Sequence, residues 1–433
     1  MKKVISALCI AGTISCVNVQ AANWLALQGT EPGGSAARAK VWGFIQPEYQ
    51  ATDGTKIAAG PWAGQQAIFN TQRPDLKSNS GFNVLRARVG VRGTGFPLDS
   101  KTNYFILFEG GNNGITRQGG GSMKMTDASV TFSHIPAAKV RAGLFKTPGS
   151  EEGLQAIHVF DYVNFTTVTN QMMLERFFDG NGSDSQDANK PNGPVGAFRD
   201  VGVQVFNIFK QAGWEHSYAF MVGNGNGLSR GDNDDNKEVY AYWSSELVFG
   251  GKGGRREELK MFAWYQDGKR TLTKAGVGEY DRTRLGLGAT YRKGKLRGAF
   301  EYMAGDGMIF TGSDGAAVPG SRNNADTVTA SFNVETGGEA DGFYGHVGYA
   351  ITPKIELDAR YDVFNRVTNI AAKERKFSTM TVGLQYFFNK KTRLILNYEL
   401  REAEAPNLAD LSGPNIILGS MDNRISAQIL AIF

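Results

Sequence analysis

The amino-acid sequence predicts an all-β protein, a transmembrane antiparallel β-barrel of about sixteen strands. Three observations predict it: hydrophobicity alternates with a period of two along the chain, the connections between alternating segments are short and long in turn, and the last segment is an apolar row ending on Phe433. A period of two places successive side chains on opposite faces of a strand. Mean hydropathy is −0.30, which excludes a bundle of membrane-spanning helices, since each helix needs about 20 consecutive apolar residues.

The first residues resemble an export signal rather than a strand. Residues 1–21 begin with two lysines after the initiating methionine, continue through a mostly apolar run and end with Ala21, the pattern of a cleaved secretory signal. We expect cleavage after Ala21, which leaves the barrel as residues 22–433. A retained membrane anchor and a lipoprotein signal ending at Cys16 are the alternatives.

Composition excludes several classes of function. The only cysteines, Cys9 and Cys16, lie inside the predicted signal, so the exported chain would have no disulfide and no thiolate chemistry. The net charge of +5 is too small to predict binding to nucleic acid.

Period-two alternation is clearest near the C-terminus. In 392–401, Leu396, Tyr398 and Leu400 share one face and Glu399 and Arg401 the other. The same pattern predicts sixteen strands at 41–50, 82–93, 102–110, 124–134, 138–146, 198–209, 213–223, 238–249, 257–266, 282–292, 295–305, 342–350, 354–364, 377–388, 391–401 and 423–433.

The lengths of the connections favour a membrane barrel over a soluble sandwich. Short turns alternate with long loops at 51–81, 147–197, 224–237, 306–341 and 402–422. Outer-membrane barrels have short periplasmic turns, long external loops and an even number of strands. We assign the weak alternation of 327–334 to an external loop, because another strand would break this parity.

The C-terminus and the aromatic residues fit the same interpretation. Chains inserted into the bacterial outer membrane often end in an apolar strand closing on Phe, because the barrel-assembly machinery recognises it; Phe433 is the candidate here. Aromatic residues near the predicted strand ends suit the girdles that barrels form at the two membrane interfaces. Ordinary packing against a neighbour is the alternative. These residues are Trp214, Tyr218, Trp243, Phe249, Tyr386 and Phe388.

A barrel of about sixteen strands is wide enough to hold an aqueous channel. Arg86, Arg88 and Arg92 then follow one another along one interior wall, where a run of like charge concentrates counter-ions. The alternative is that Glu48 and Glu109 neutralise them.

The interior charges predict a mild preference for anions. Twelve basic positions are assigned inward against eight acidic ones. The basic positions are Arg86, Arg88, Arg92, Lys124, Arg284, Arg292, Arg297, Lys354, Arg360, Arg393, Arg401 and Arg424. We select Arg297, Arg360 and Arg393 with the first three as pore-lining residues.

The longest loop, 147–197, contains more apolar and aromatic residues than a solvated loop needs. We expect it to fold into the lumen and narrow it. The predicted constriction residues are Glu151, Glu152, Asp161, Glu175 and Arg176. The alternative is a loop that caps the barrel or contacts another subunit.

Five framework segments resemble the phosphate-selective porin O/P family: 41–47 (VWGFIQP), 140–148 (VRAGLFKTP), 198–203 (FRDVGV), 384–389 (LQYFFN) and 394–398 (LILNY). The resemblance implies a sixteen-stranded porin, commonly a homotrimer, whose third external loop lines the constriction. It does not carry over phosphate as the substrate, because the constriction of phosphate-selective members is strongly basic and the matching loop here is acidic.

No pattern predicts an enzyme, a cofactor or a bound metal. The four histidines are far apart, without a His-Glu-x-x-His arrangement, and no Gly-x-Ser-x-Gly elbow occurs. We therefore expect an outer-membrane porin for passive diffusion of small hydrophilic solutes or ions. The alternatives are a barrel sheath around a partner such as a multihaem cytochrome, and an adhesin or receptor.

Overall fold

The computed structural model describes residues 23–31, 38–60, 63–64, 80–95, 99–113, 116, 123–174, 196–228, 231–232, 234–251, 255–272, 277–311 and 334–433. The predicted signal, the predicted constriction residues Glu175 and Arg176, and nearly all of 327–334 lie outside these residues.

Sixteen strands close a single antiparallel barrel, as the alternation predicts. A separate two-stranded pair, β12 and β13, lies in one of the long connections. The strands are β1 (Lys40–Thr52), β2 (Ser80–Thr94), β3 (Thr102–Glu109), β4 (Lys124–Ile135), β5 (Ala138–Lys146), β6 (Arg199–Gln211), β7 (Trp214–Gly223), β8 (Glu238–Gly250), β9 (Glu257–Leu272), β10 (Gly278–Lys293), β11 (Leu296–Asp306), β12 (Ile309–Phe310), β13 (Val334–Glu335), β14 (Glu339–Thr352), β15 (Ile355–Arg366), β16 (Arg375–Asn389), β17 (Thr392–Glu404) and β18 (Arg424–Ile432).

The barrel closes where its last strand pairs with its first. β18 runs antiparallel to β1, with Phe44 opposite Ile432. The seam ends in two backbone hydrogen bonds: Phe433 N–H donates to the Gly43 carbonyl at 3.0 Å and Gly43 N–H to the Phe433 carbonyl at 3.2 Å. Each of the sixteen barrel strands therefore has a hydrogen-bonded neighbour on both sides.

Each strand has an apolar outer face and a polar inner face. On β17, Leu396, Tyr398 and Leu400 are exposed on the outside, whereas Glu399 and Arg401 are buried on the inside. The lumen-facing polar residues are buried because other parts of the chain fill much of the interior. The alternation therefore indicates the direction of each side chain, although it does not reveal the filling.

Long and short connections alternate around the barrel with two exceptions, those between β9 and β10 and between β15 and β16 (367–374). The long ones are 53–79, 110–123, 147–198, 224–237, 307–338 and 405–423. Between β9 and β10 the expected long connection is short, because both strands continue beyond their predicted ends and pair from Leu272 and Gly278 onward. We refer to the two ends of the barrel as the long-loop end and the short-turn end.

One alternating segment changes phase at a bulge. The register between β1 and β2 shifts between Gln46 and Pro47, where proline has no N–H to give to the ladder. Leu85, which alternation places on the outer face with Ala87 and Val89, is therefore buried, with 1% of its surface exposed.

The helical elements are short. They are α1 (Trp24–Leu27), α2 (Glu151–Leu154), a 3-10 turn (Ile157–Val159), a π turn (Thr169–Met173) and α3 (Gly413–Leu418). Among the described residues, no helix has the length and apolar character needed to cross a membrane.

Candidate functional site

The lumen contains the N-terminal segment, residues 23–31. Its helix α1 is capped by Asn23, whose side-chain oxygen accepts from Leu25 N–H at 3.0 Å. The amide nitrogen of Asn23 donates to Ser217 Oγ at 2.9 Å and to Glu246 Oε1 at 2.7 Å on the barrel wall. Arg141 Nη2 donates a hydrogen bond to the Leu25 carbonyl oxygen at 2.8 Å. The segment is therefore fastened to the wall through both side chains and backbone.

The lumenal loop, residues 147–174, is the second element inside the barrel. Ser150 caps α2 by accepting from Gly153 N–H at 3.3 Å. Apolar side chains of the loop pack with Trp24 and Leu25 in one buried cluster; they include Leu154, Ile157, Phe160, Phe165, Val168 and Met172. Burial of this apolar surface stabilises the loop inside the lumen.

Hydrogen bonds to the wall orient the rest of the lumenal loop. Val163 N–H donates to Asn397 Oδ1 at 2.8 Å and Thr167 N–H to Asp362 Oδ2 at 2.9 Å. These wall residues lie on β15 and β17. The loop therefore follows the inner wall from β9 and β11, which α2 contacts through Lys260 and Glu301, as far as β17.

Glu151 joins the three parts of the interior. Its carboxylate accepts from Lys260 Nζ at 2.6 Å for each oxygen, and from Trp24 Nε1 at 3.1 Å. Its backbone N–H donates to Glu301 Oε2 at 3.1 Å. Glu301 also accepts from Trp264 Nε1 and from the Tyr344 hydroxyl, both at 2.8 Å.

Asp161 is the centre of a cluster of arginines near the short-turn end. It lies 3.1 Å from Arg297 Nε and 2.5 Å from Arg255 Nη2, with Arg393 at 3.7 Å. Burial alone would raise the pKa of Asp161, but these positive charges outweigh it and hold the pKa below its usual range. The carboxylate is therefore ionised and anchors the loop.

His158 lies against the aromatic wall formed by Trp42 and Phe44, with ring centroids at 5.9 and 5.4 Å. Burial, and then the positive charges of Arg393 and Lys146, lower its pKa to about 4. The imidazole is therefore neutral at neutral pH.

The arginines predicted to line one wall have partners in the structure. Arg88 Nε lies 2.8 Å from Glu109 Oε2, Arg92 pairs with Glu31 of the N-terminal segment, and Arg86 donates to Gln46 Oε1 at 3.1 Å. Two of these three arginines are therefore paired with carboxylates. Glu109 was an expected partner, whereas Glu31, which pairs with Arg92, was not.

The other predicted pore residues contact the lumenal loop. Arg360 donates to the Asn164 carbonyl at 3.0 Å and lies 3.4 Å from Glu152. Glu152 also accepts from the Thr166 hydroxyl at 2.6 Å. Arg297 and Arg393 belong to the Asp161 cluster. The structure thus brings Glu151, Glu152 and Asp161 into contact with the wall.

Among the described residues, two cavities lie inside the barrel on opposite sides of α2. The long-loop cavity, about 30 Å³, is lined by Ser150, Gly153, Arg270 and Arg282 among others. The short-turn cavity, about 80 Å³, is lined by Glu151, Glu152, Tyr162 and Arg292 among others. α2 and its contacts with Lys260 therefore separate the two cavities.

Alternation predicts neither the N-terminal segment inside the lumen nor the role of Lys260. The available signal was the apolar run Trp24–Leu27, two residues beyond the predicted cleavage site and outside any predicted strand. Among the described residues, no group of three or more histidine, cysteine, aspartate and glutamate side chains could hold a metal ion.

The fold is that of the outer-membrane porins. A Salmonella typhi OmpF complex with daunomycin superposes with a TM-score of 0.54 at 13% identity, over 91% of this chain and 97% of that chain. An anion-selective porin from Comamonas acidovorans has a TM-score of 0.52 at 14% identity, covering 92% and 100%. The trimer form of OmpT from Vibrio cholerae has 0.52 at 11%, covering 92% and 99%. No protein-family model and no curated protein sequence matches the chain.

Proposed function

We propose that the protein is an outer-membrane porin through which small hydrophilic solutes or ions diffuse passively. The observation that carries the proposal is the pair of cavities on either side of α2 inside a closed barrel. A barrel of this size holds an aqueous path unless its own chain fills it, and in the described part of the interior the N-terminal segment and the lumenal loop leave these two spaces. The channel is therefore narrow, with its constriction at Glu151.

We further propose a mild preference for anions. Its support is the excess of basic over acidic positions that the alternation assigns inward, twelve against eight. An excess of positive charge along the path favours anions.

The test is conductance of the purified, folded protein in planar bilayers under a KCl gradient. We expect small stepwise increases in current. We also expect a reversal potential that indicates a modest selectivity for chloride over potassium. Absence of steps from a preparation whose circular dichroism shows a folded barrel would overturn the porin proposal. A reversal potential of cation selectivity would overturn the anion preference alone.

Three further properties belong to the same proposal: export with cleavage after Ala21, insertion by the barrel-assembly machinery through the strand ending at Phe433, and a homotrimer. The trimer form of the Vibrio cholerae neighbour supports the last of these. N-terminal sequencing, outer-membrane fractionation and light scattering of the detergent complex test them separately. From the resemblance to the phosphate-selective porin O/P family the proposal takes the strand framework, and it does not take phosphate as the substrate.

The sheath alternative has less support. The interior contains the chain's own segments, and cavities of about 30 and 80 Å³ are far too small for a cytochrome. A colourless preparation without a stoichiometric haem protein is the expected result.

A further inference from the structure

Three carboxylates meet on the inner wall formed by β7, β8 and β9, near the short-turn end. Glu215 lies directly opposite Glu246 in the strand register, and like charges at opposed positions repel each other. Arg256 contacts both of these carboxylates and that of Glu258. We refer to Glu215, Glu246 and Glu258 as the acidic cluster. One guanidinium group is shared by all three of its members.

The basic residues around the acidic cluster do not balance its charge. Three of them lie opposite its members in the register: Lys210 opposite Glu215, Arg292 opposite Glu258 and Lys260 opposite Glu246. The Nζ of Lys260 is already bound by both oxygens of Glu151 at 2.6 Å. Lys210 is exposed, and within the described chain the ion pairs of the cluster are those with Arg256. Counting Glu151, four carboxylates face three basic groups apart from the exposed Lys210.

One oxygen of the acidic cluster lacks a hydrogen-bond donor. Glu215 Oε1 is buried without a hydrogen bond among the described residues. It lies 2.8 Å from Arg256 Nη2, a contact that joins opposite charges without the geometry of a hydrogen bond. Only 2% of the surface of Glu215 is exposed. A carboxylate buried to this extent costs free energy unless positive charge and donors compensate it, so the cluster can accept a further cationic donor.

Asn23, at the start of the N-terminal segment, is bound beside this oxygen. Its Nδ2 lies 2.7 Å from Glu246 Oε1 and 2.9 Å from Ser217 Oγ, and Ser217 follows Glu215 on the inner face of β7. Asn23 is itself buried, with 4% of its surface exposed. Ala22, which lies outside the described residues, is bonded to Asn23. Because consecutive Cα atoms are about 3.8 Å apart, a charge on Ala22 is one residue away from a side chain that the cluster already binds.

Cleavage after Ala21 creates such a charge. Hydrolysis of this peptide bond leaves a carboxylate on Ala21 and a free amino group on Ala22. An α-amino group has an ordinary pKa of about 7.7–8.0 and is therefore mostly protonated at neutral pH, with N–H donors on a compact positive charge, as in a lysine ammonium. A metal ion is a poorer candidate for the same place, since no group of acidic side chains in the described ranges could hold one.

We propose that the α-ammonium group of Ala22 binds the acidic cluster and donates to Glu215, so that removal of the signal completes the attachment of the N-terminal segment inside the lumen. The inference rests on the cleavage site proposed above. In the uncleaved chain the same nitrogen belongs to a peptide bond, with one N–H and no charge. The processed chain is thereby attached by charge at both ends of the segment, through Ala22 and through the pair of Glu31 with Arg92.

The test measures how fast N-hydroxysuccinimidyl acetate acetylates the α-amine of Ala22 in protein purified from the outer membrane, because only the unprotonated amine reacts. Mass spectrometry of the N-terminal peptide gives this rate for the folded protein and for the protein unfolded in guanidinium. We expect the folded protein to react about tenfold more slowly or less, the effect of a hydrogen bond between charged groups.

Two variants distinguish ion pairing from burial. Glu215→Gln removes the charge and keeps the size of the side chain, so the α-amine should react at close to the unfolded rate. Glu257→Gln is the matched control, because this neighbouring carboxylate accepts from Gly294 N–H at 2.8 Å instead of joining the cluster, and it should react as the wild type does. If Glu215→Gln does not fold, Glu258→Gln takes its place, since the side chain of Glu258 is 17% exposed and tolerates the change better.

Equal rates in the folded and unfolded wild type overturn the inference. Slow acetylation that persists in the Glu215→Gln or Glu258→Gln variant also overturns it, because the amine is then buried without being paired. N-terminal sequencing and bilayer conductance of the same preparation separate the proposals. A chain that begins elsewhere than at Ala22 removes the cleavage site and this inference and leaves the porin. Conductance steps with a fast-reacting Ala22 remove the inference alone, whereas a slow-reacting Ala22 without steps removes the porin alone.

Discussion

Lys260 on β9 places its Nζ 2.6 Å from both carboxylate oxygens of Glu151, and the two side chains are 4% and 8% exposed. The ion pair fastens the first turn of α2 to the barrel wall. Because the two cavities lie on either side of α2, this pair holds the element that separates them.

Breaking this pair should destabilise the folded barrel. Lys260→Met leaves the Glu151 carboxylate buried without its cation, and loss of one partner of a buried pair costs about 3–5 kcal/mol. The measurement is guanidinium unfolding in detergent. Lys390→Met, at an exposed turn, is the control and should have little effect. The double variant Lys260→Met/Glu151→Gln should recover much of the loss; equal destabilisation in the double variant would show that the pair is not the cause.

The N-terminal segment should restrict conduction. Trp24 packs in the interior cluster and donates to Glu151. Truncation of a buried tryptophan costs about 3–5 kcal/mol, so Trp24→Ala should release the segment and increase single-channel conductance. Trp24→Phe keeps most of the packing and should resemble the wild type. Unchanged conductance in a folded Trp24→Ala channel would mean that the path does not pass this segment.

The strands could be predicted from the sequence because a membrane barrel imposes a local rule, an apolar side chain outward at every second position. The rule ends where the strand leaves the lipid. β9 and β10 continue through Asp267, Lys269 and Arg270, where both faces are polar and no alternation exists to detect. Leu85 deviates for a different reason, since it is the extra residue of a bulge in β2 itself, opposite Gln46 and Pro47.

The interior could be predicted only in part. Apolar composition pointed to the lumenal loop, and alternation pointed to the inward arginines. Their partners are not local: Lys260 and Glu151 are 109 residues apart, and Arg92 pairs with Glu31 before the first strand. Neither contact leaves a pattern in a single sequence.

Asp161 should contribute to stability in a pH-dependent way. Its pKa is lower in the folded state than the ordinary 3.8, so the stabilisation is fully present above that value and is lost as pH falls through the folded pKa. The difference in unfolding free energy between wild type and Asp161→Asn should be constant from pH 8 to about 5 and shrink in stronger acid. A difference that grows on acidification would contradict this assignment.

His158 should make the protein sensitive to mild acid. Its pKa is lowered from 6.5 to about 4, so protonation is more favourable in the unfolded chain, and stability falls between these values as pH decreases. The loss attributable to His158 is at most about 3 kcal/mol. His158→Phe should lose less stability than the wild type between pH 7 and 4. His134→Gln, at an exposed residue bound to Asp99, is the control.

Closure of the barrel should depend on the absence of a side chain at Gly43. A Cβ there would collide with the ring of Phe433 and with the carbonyl oxygen of Arg88, at the point where Phe433 and Gly43 exchange backbone hydrogen bonds. Gly43→Val should therefore weaken the seam by about 1–3 kcal/mol, the usual cost of overpacking, and lower the yield of the compact form seen as heat-modifiable mobility on electrophoresis. Gly231→Val is the matched control, because nothing lies within 4 Å of a Cβ at that loop position. Phe433→Ala in the Gly43→Val background should relieve the collision with the ring but not that with the backbone, so a full recovery of folding in the double variant would assign the whole effect to the ring.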